Sequence, residues 1–158
     1  MTKTEVLRET LKEFQRDFER QKEEKWRKMK KGKEYNRYIN DCGYIAKGQR
    51  VVIHFDGYEY EIGRDKNFGS LYANVILEDD KEIYPSTLEL LKVHKGITYN
   101  KVHNGKRVIG FDCNCSSDYV PYREENHARA KYKDMAYVKQ EVKKLIRKLK
   151  RAGIKWIS

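Results

Sequence analysis

The chain opens with a hydrophobic stripe of helical spacing that ends at residue 18. Thr2 and Glu5 have the spacing of a capping box, so we expect a helix from residue 3 to about residue 31. Because the stripe stops early, we predict a helical arm, residues 1–37, that packs its front half on the body or pairs with a second copy. Steps of four, three and four residues separate the apolar side chains of the stripe: Leu7, Leu11, Phe14 and Phe18.

Two runs rich in β-forming residues predict a hairpin in the middle of the chain. Residues 50–55 and 58–62 are separated by Asp56-Gly57, a dipeptide typical of two-residue hairpin turns. In the second run the residues alternate between apolar and acidic types, which indicates one buried face and one wet face. The alternating residues are Tyr58, Tyr60 and Ile62 on the buried face, with Glu59 and Glu61 on the wet face.

Further elements are predicted on either side of residue 90. Residues 71–77 form another expected strand, and Ser86 to Glu89 has capping-box spacing that predicts a short helix through Leu91. The turn signal Asn104-Gly105 lies inside a second predicted hairpin, residues 93–112. Residues 35–42 are polar with aromatic interruptions, and we treat them as a connection without assigned structure.

A polar loop and an amphipathic helix complete the predicted fold. The loop covers residues 114–132, and Asp134 then caps a helix that runs to Ala152, with Gly153 as its stop. The fold class is therefore α+β, an antiparallel sheet of hairpins covered on one face by the last helix, in a domain of residues 38–158. The apolar face of that helix consists of Met135, Val138, Val142, Leu145, Ile146 and Leu149.

The charge of +11 is concentrated at the two ends of the chain. Residues 1–37 carry +5 and residues 96–158 carry +9, whereas residues 38–95 carry −3. Such a distribution favours polyanionic partners, although solvated cations on helix faces would give the same count. No apolar run approaches the ~20 residues of a membrane span, so we expect a cytosolic protein, and its three cysteines do not suggest a disulfide framework.

Cations and tyrosines are interleaved in the last third of the chain, as phosphate attraction and base stacking require. A basic helix lying over the sheet, with half-buried tyrosines, is the competing interpretation. The candidate binding residues are Lys95, Tyr99, Arg107, Asn114, Tyr119, Arg123, Arg129, Lys139, Lys143, Arg147, Lys150 and Arg151. The basic end of the arm adds Arg27, Lys28, Lys30, Lys31 and Lys33.

The second hairpin also gathers residues with metal-binding or catalytic chemistry. His94, Cys113 and Cys115 could bind zinc, with Asp118 or His103 as a further ligand, but one Cys-x-Cys pair is a weak signal. The same residue types would suffice for a nucleophile and a base, with Asp112 or Asp118 as the orienting acid. However, neighbouring strand residues point to opposite faces, so Asp112 and Cys113 cannot share one pocket in a regular strand. We therefore expect no cofactor and no catalysis, and interpret the hairpin as a structural clasp with zinc as the remaining alternative.

The chain resembles a family of small proteins encoded by bacteriophages and prophages. The resemblance covers most of residues 93–149 and depends on four segments. Two departures stand out, since Lys95 and Cys115 occupy positions where the family pattern has Gly and His. The segments are Cys42-Gly43-Tyr44-Ile45, Val93-His94-Lys95-Gly96-Ile97-Thr98-Tyr99, Gly110-Phe111-Asp112-Cys113-Asn114-Cys115-Ser116-Ser117-Asp118-Tyr119, and Tyr132 through Tyr137-Val138 to Glu141.

The resemblance implies an accessory phage protein that acts in the host cytoplasm against a bacterial defence. We expect an anti-CRISPR inhibitor that binds a Cas effector, or its guide or target nucleic acid, through residues 139–151, 27–33 and 114–132. The alternative is a sponge that encloses a cyclic nucleotide immune signal in a pocket, which we expect at a homodimer contact. Its residues would be Lys95, Tyr99, Arg107, Asn114 and Tyr119. A plain nucleic-acid-binding protein is the third hypothesis.

Overall fold

The computed structural model describes residues 2–30 and 32–153, without the side chains of residues 23–30. The chain divides into two compact units, Met1–Asn36 and Arg37–Ser158. In the first unit, helix α1 spans Lys3–Lys30. Thr2 and Glu5 exchange hydrogen bonds of 3.2 Å between the backbone N–H of each and the side chain of the other, which confirms the capping box.

The remaining elements are helices separated by runs of antiparallel strands, which confirms the α+β class. The strands form one five-stranded sheet in the order β1-β2-β3-β5-β4. The elements are α2 (Lys33–Asp41), β1 (Arg50–Phe55), β2 (Tyr58–Arg64), β3 (Leu71–Ile76), α3 (Pro85–Leu90), β4 (Tyr99–His103), β5 (Lys106–Asp112) and α4 (Met135–Arg151).

Both predicted two-residue hairpin turns are confirmed. Asp56 and Gly57 have φ angles of 51° and 81°, and Asn104 and Gly105 have φ angles of 52° and 73°. Two successive positive φ angles define the turn that matches the twist of a hairpin, and Asn-Gly and Asp-Gly tolerate them best. The turns therefore fix the registers of β1 against β2 and of β4 against β5, in which Phe55 faces Tyr58 and His103 faces Lys106.

Helix α4 covers one face of the sheet. The core-facing strand residues come from β2, β3 and β5, and the helix contributes the apolar face expected from its sequence. Asp134 accepts a hydrogen bond of 2.9 Å from the backbone N–H of Tyr137, which confirms it as the N-cap. The fully buried centre includes Tyr60, Ile62, Leu71, Ala73, Val75, Ile109, Phe111, Val138, Val142, Leu145, Ile146 and Leu149.

Four details differ from the sequence expectations. Residues 33–41 form a helix, where no structure was assigned to residues 35–42 from the sequence. Residues 93–98 precede the hairpin as a turn and are not strand. The capping box predicted for α3 is wrong, since Tyr84 occupies its N-cap without a side-chain hydrogen bond and Pro85 begins the helix. Glu61 is buried rather than wet, because Arg50 and Asn74 contact its carboxylate on the second face of the sheet.

None of the helices in the described ranges has both the length and the apolar character that crossing a membrane requires.

Candidate functional site

His94 lies at the centre of a buried polar cluster and has an unusual backbone. Its φ is 52°, in the left-handed region, which costs a residue with a β-carbon on the order of 1 kcal/mol. The turn is closed by the Gly96 N–H, which donates to the Val93 carbonyl at 2.8 Å. The His94 N–H donates to Glu141 Oε1 of α4 at 3.2 Å. Helix α4 therefore holds His94 in this conformation from the opposite side of the cluster.

Both ring nitrogens of His94 have hydrogen-bond partners. Nε2 lies 2.8 Å from Asp118 Oδ2, and Nδ1 lies 2.6 Å from the Tyr137 hydroxyl. That hydroxyl donates to Glu141 Oε1 at 3.3 Å, so its oxygen is the acceptor for the Nδ1–H of His94. The side chains of His94 and Asp118 are 2% and 0% exposed. The hydrogen bonds of this cluster join the turn at residue 94, the loop of residues 114–132 and helix α4.

The charge states of Asp118, Glu141 and Tyr137 in this cluster follow from their burial and their neighbours. Burial alone would raise the pKa of Asp118, but the hydrogen bond and charge of His94 lead a set of neighbours that lower it below its ordinary value. Burial likewise opposes ionisation of Glu141, yet Lys144, 2.9 Å from its Oε2, leads the contacts that lower its pKa. Burial raises the pKa of Tyr137. At neutral pH the cluster therefore contains two carboxylates and a protonated tyrosine.

Cys115 joins the cluster through a tight turn with Asp118. The Asp118 N–H donates to the Cys115 carbonyl at 3.0 Å, and the Cys115 N–H donates to Asp118 Oδ2 at 3.0 Å. One donor atom from each of His94, Cys115 and Asp118 lies within 4.8 Å of the other two, so these three could hold a metal. Cys113, the third zinc ligand proposed from the sequence, instead lies in the hydrophobic core, where burial raises the pKa of its thiol. Asp118 takes the position of the third donor.

The other residues proposed for a nucleophile and base lie elsewhere. Asp112 pairs with Tyr72 on the second face of the sheet, whereas Cys113 faces the core, as strand alternation predicts. His103 lies at the end of β4, where Nε2 is hydrogen-bonded to the Tyr99 hydroxyl. The three residues therefore do not meet in one pocket.

The predicted basic surface is the outer side of α4. The helix has one acidic residue, Glu141, and it is buried. The exposed side of α4 therefore carries positive charge and no carboxylate. Its basic residues are Lys139, Lys143, Lys144, Arg147, Lys148, Lys150 and Arg151.

Three of these cations contact residues of the β1–β2 hairpin. Lys143 and Arg147 lie 5.0 and 5.7 Å from the centre of the Phe55 ring, within cation–π range. Lys150 Nζ lies 3.0 Å from Asp56 Oδ1 in a pair that is about half exposed. Such exposed pairs contribute little to stability and exchange readily with other anions.

The five residues proposed for a nucleotide pocket are dispersed. Tyr99 and Asn114 line one cavity of about 300 Å³ on the second face of the sheet. Lys95 is exposed, Tyr119 is half-buried, and Arg107 donates to the carbonyls of residues 80 and 81 and to Asn100. Three carboxylates and no basic side chain line that cavity, which makes it unfavourable for phosphate. They belong to Glu61, Asp65 and Asp112.

The remaining candidate binding residues have varied surroundings. Arg123 donates to the Asn114 carbonyl at 2.8 Å and so braces the loop from within. Arg129 and Lys33 are exposed. The side chains of the arm residues Arg27, Lys28 and Lys30, and all of Lys31, lie outside the described part of the chain.

Arg64 forms a second buried polar cluster that sequence reasoning missed. Its guanidinium is 0% exposed and donates to the Ile45 and Gly69 carbonyls at 2.8 and 2.7 Å. It also donates to the Tyr132 hydroxyl at 3.0 Å and to Asp41 Oδ2 at 3.2 Å. The sequence did indicate that this side chain is buried, because Arg64 lies two residues after Ile62 and continues the alternation that buries Tyr58, Tyr60 and Ile62.

Comparison with protein-family models finds no match for this chain, and comparisons with curated proteins and with solved structures find none either.

Proposed function

We propose that this protein acts by binding, without catalysis, as a phage-encoded inhibitor of a bacterial immune effector that handles nucleic acid in the host cytoplasm. The observation that carries the proposal is the outer side of α4, where seven cations lie along 17 helical residues with no exposed carboxylate. The helix is about 25 Å long, which is enough to follow several successive phosphates.

The packing of α4 makes this surface a fixed array. Its apolar face is buried against the sheet, so the cations keep their relative positions when a partner approaches. Lys143 and Arg147 rest on Phe55, which orders the two side chains before binding. Because ordering long side chains costs free energy on association, this arrangement favours binding.

Binding rather than catalysis is also supported by the state of His94. Both of its ring nitrogens are engaged and its side chain is 2% exposed, so it offers no accessible base to a substrate. The sponge hypothesis has less support than nucleic-acid binding, because Tyr99 and Asn114 share their cavity with three carboxylates.

A charge-reversal experiment tests the surface. Lys139→Glu, Arg147→Glu and Arg151→Glu together reverse three exposed cations of α4. Fluorescence anisotropy with labelled 20-nucleotide RNA and duplex DNA should show at least tenfold weaker binding. The slope of log affinity against log salt should fall by about 3, since each lost phosphate contact removes roughly one released counterion.

The matched control is the triple variant Lys66→Glu, Lys81→Glu and Lys106→Glu, which changes net charge equally at exposed sites outside α4. Circular dichroism of both variants verifies folding. Equal losses in the two variants would show that net charge, and not α4, determines binding.

Pull-down from effector-expressing cells tests the biological role. Co-purification of a protein or ribonucleoprotein, lost in the α4 variant and kept in the control, supports inhibition of an effector. Recovery of an intact small nucleotide after denaturation would instead support the sponge.

A further inference from the structure

The buried cluster around His94 has the donors of a metal site on two separate segments of backbone, the turn at residue 94 and the turn of residues 115–118. An imidazole nitrogen, a thiol sulfur and a carboxylate oxygen from His94, Cys115 and Asp118 lie within 4.8 Å of one another. These are the three donor types that zinc accepts in proteins. Donor atoms around one tetrahedral zinc lie about 3.3–3.6 Å apart at ordinary bond lengths, so shifts on the order of 1 Å would bring the three atoms into place.

The hydrogen bonds around His94 select the nitrogen that faces the other donors. Tyr137 donates its proton to Glu141, so Nδ1 of His94 carries the proton that bonds to the Tyr137 oxygen. Nε2 is then the nitrogen directed at Asp118, 2.8 Å away. A histidine ligand whose other nitrogen donates to a fixed acceptor is the usual arrangement at protein metal sites, because it sets the tautomer and the ring orientation.

Asp118 provides a second, independent indication. Its side chain is fully buried, and within the described residues Oδ1 has no hydrogen-bond partner. Lys133 Nζ lies 3.4 Å from this oxygen as an ion pair, without the geometry of a hydrogen bond. Oδ2, in contrast, already has the Cys115 N–H and His94 as partners. A carboxylate with one satisfied and one unsatisfied oxygen beside a thiol and an imidazole is suited to coordinate a cation.

We propose that His94 Nε2, Cys115 Sγ and Asp118 bind one zinc-class divalent cation, with water in the fourth position. The dication displaces the proton between His94 Nε2 and Asp118 and the thiol proton of Cys115, and both protons are released to solvent. Thiolate and carboxylate then balance the two positive charges. Tyr137 is a positioning residue that acts through Nδ1 of His94. The ion ties the turn at residue 94 to the loop of residues 114–132, a role separate from the basic surface of α4.

Cobalt substitution in the full-length chain tests this site. After chelation of bound metal, Co²⁺ should bind with a stoichiometry of one and give the thiolate-to-cobalt absorption and the strong visible bands of tetrahedral cobalt, and Zn²⁺ should displace it. Cys115→Ser should abolish the thiolate band and weaken binding by at least about 100-fold, whereas Tyr137→Phe should weaken it by about 10–100-fold. Cys42→Ser, which changes another free and partly buried cysteine, should leave the spectrum unchanged.

A measurement on the wild-type chain keeps the test independent of folding in the variants. Zn²⁺ should protect Cys115 from alkylation by iodoacetamide, read by peptide mass spectrometry, without protecting Cys42. Absence of stoichiometric Co²⁺ binding, a thiolate band that survives Cys115→Ser, or equal alkylation of Cys115 with and without Zn²⁺ would each overturn the proposal.

Discussion

Replacing Arg64 by methionine should severely destabilise the second unit, because its guanidinium joins distant parts of the chain within the core. The side chain is fully buried and makes hydrogen bonds to Ile45, Gly69, Tyr132 and Asp41. Methionine retains most of the apolar stem, so the change removes mainly the charge and its hydrogen bonds. Asp41 would remain buried with the Tyr132 hydroxyl and a backbone N–H as its other hydrogen-bond donors.

The expected loss is about 3–5 kcal/mol in the free energy of unfolding, which is typical when one partner of a buried ion pair is removed. For a domain of this size the melting temperature should fall by roughly 10–20 °C. Lys150→Ala is the matched control, because it breaks an ion pair whose side chains are 58% and 41% exposed. It should cost less than about 1 kcal/mol.

Urea unfolding at pH 7, followed by far-ultraviolet circular dichroism, measures both variants. A double-mutant cycle with Asp41→Asn adds a sharper criterion. Removing the uncompensated charge should recover part of the loss, so the double variant should be less destabilised than the sum of the single changes, by on the order of 1–3 kcal/mol. A cost for Arg64→Met no larger than that of Lys150→Ala, or strict additivity in the cycle, would refute the reasoning.

Two further substitutions and one labelling experiment test the fold and the core. Gly110→Ala should cost at least about 2 kcal/mol in the free energy of unfolding by urea, since the added β-carbon would lie 2.0 Å from a carbonyl oxygen. The control, Gly43→Ala, places its β-carbon 3.4 Å from the nearest atom and should cost under about 1 kcal/mol, so equal costs would contradict this packing. Asp134→Ala should lower the free energy of unfolding by about 0.5–2 kcal/mol in the same assay through loss of the α4 cap, and an unchanged midpoint would contradict it. Cys113, 1% exposed, should react with a thiol reagent only as fast as the protein opens, far more slowly than Cys42, and comparable rates would contradict its burial.

Much of the fold was predictable because its signals are local. Asp56-Gly57 and Asn104-Gly105 determine their turns through the φ angles that these residues tolerate. Helix α4 combines an N-cap with a long apolar period, and both features are readable without a partner. Helix α2 was missed because its sequence is short and polar. Its buried residues, Tyr38 and Asp41, contact partners that lie far away in sequence, among them Arg64 and Tyr132.

The candidate site was predictable in its residue types but not in its geometry. His94 and Asp118 were grouped from sequence, and they are in contact. Their connection to Tyr137 and Glu141 arises from the packing of α4, a tertiary contact that no local pattern encodes. Cys113 was included because it is close in sequence to Cys115, but strand β5 directs it into the core.

The chemistry of Cys115 helps to distinguish a metal-donor role from a proton-transfer role. A cysteine is as good a zinc donor as a histidine, but it is a different kind of general base, because a thiol differs from an imidazole in pKa and hydrogen-bonding capacity. The structure places Cys115 beside His94 and Asp118, where its sulfur can serve as a metal donor. Because Glu141 connects His94 to α4, an ion bound at this cluster would also fasten the helix that presents the basic surface.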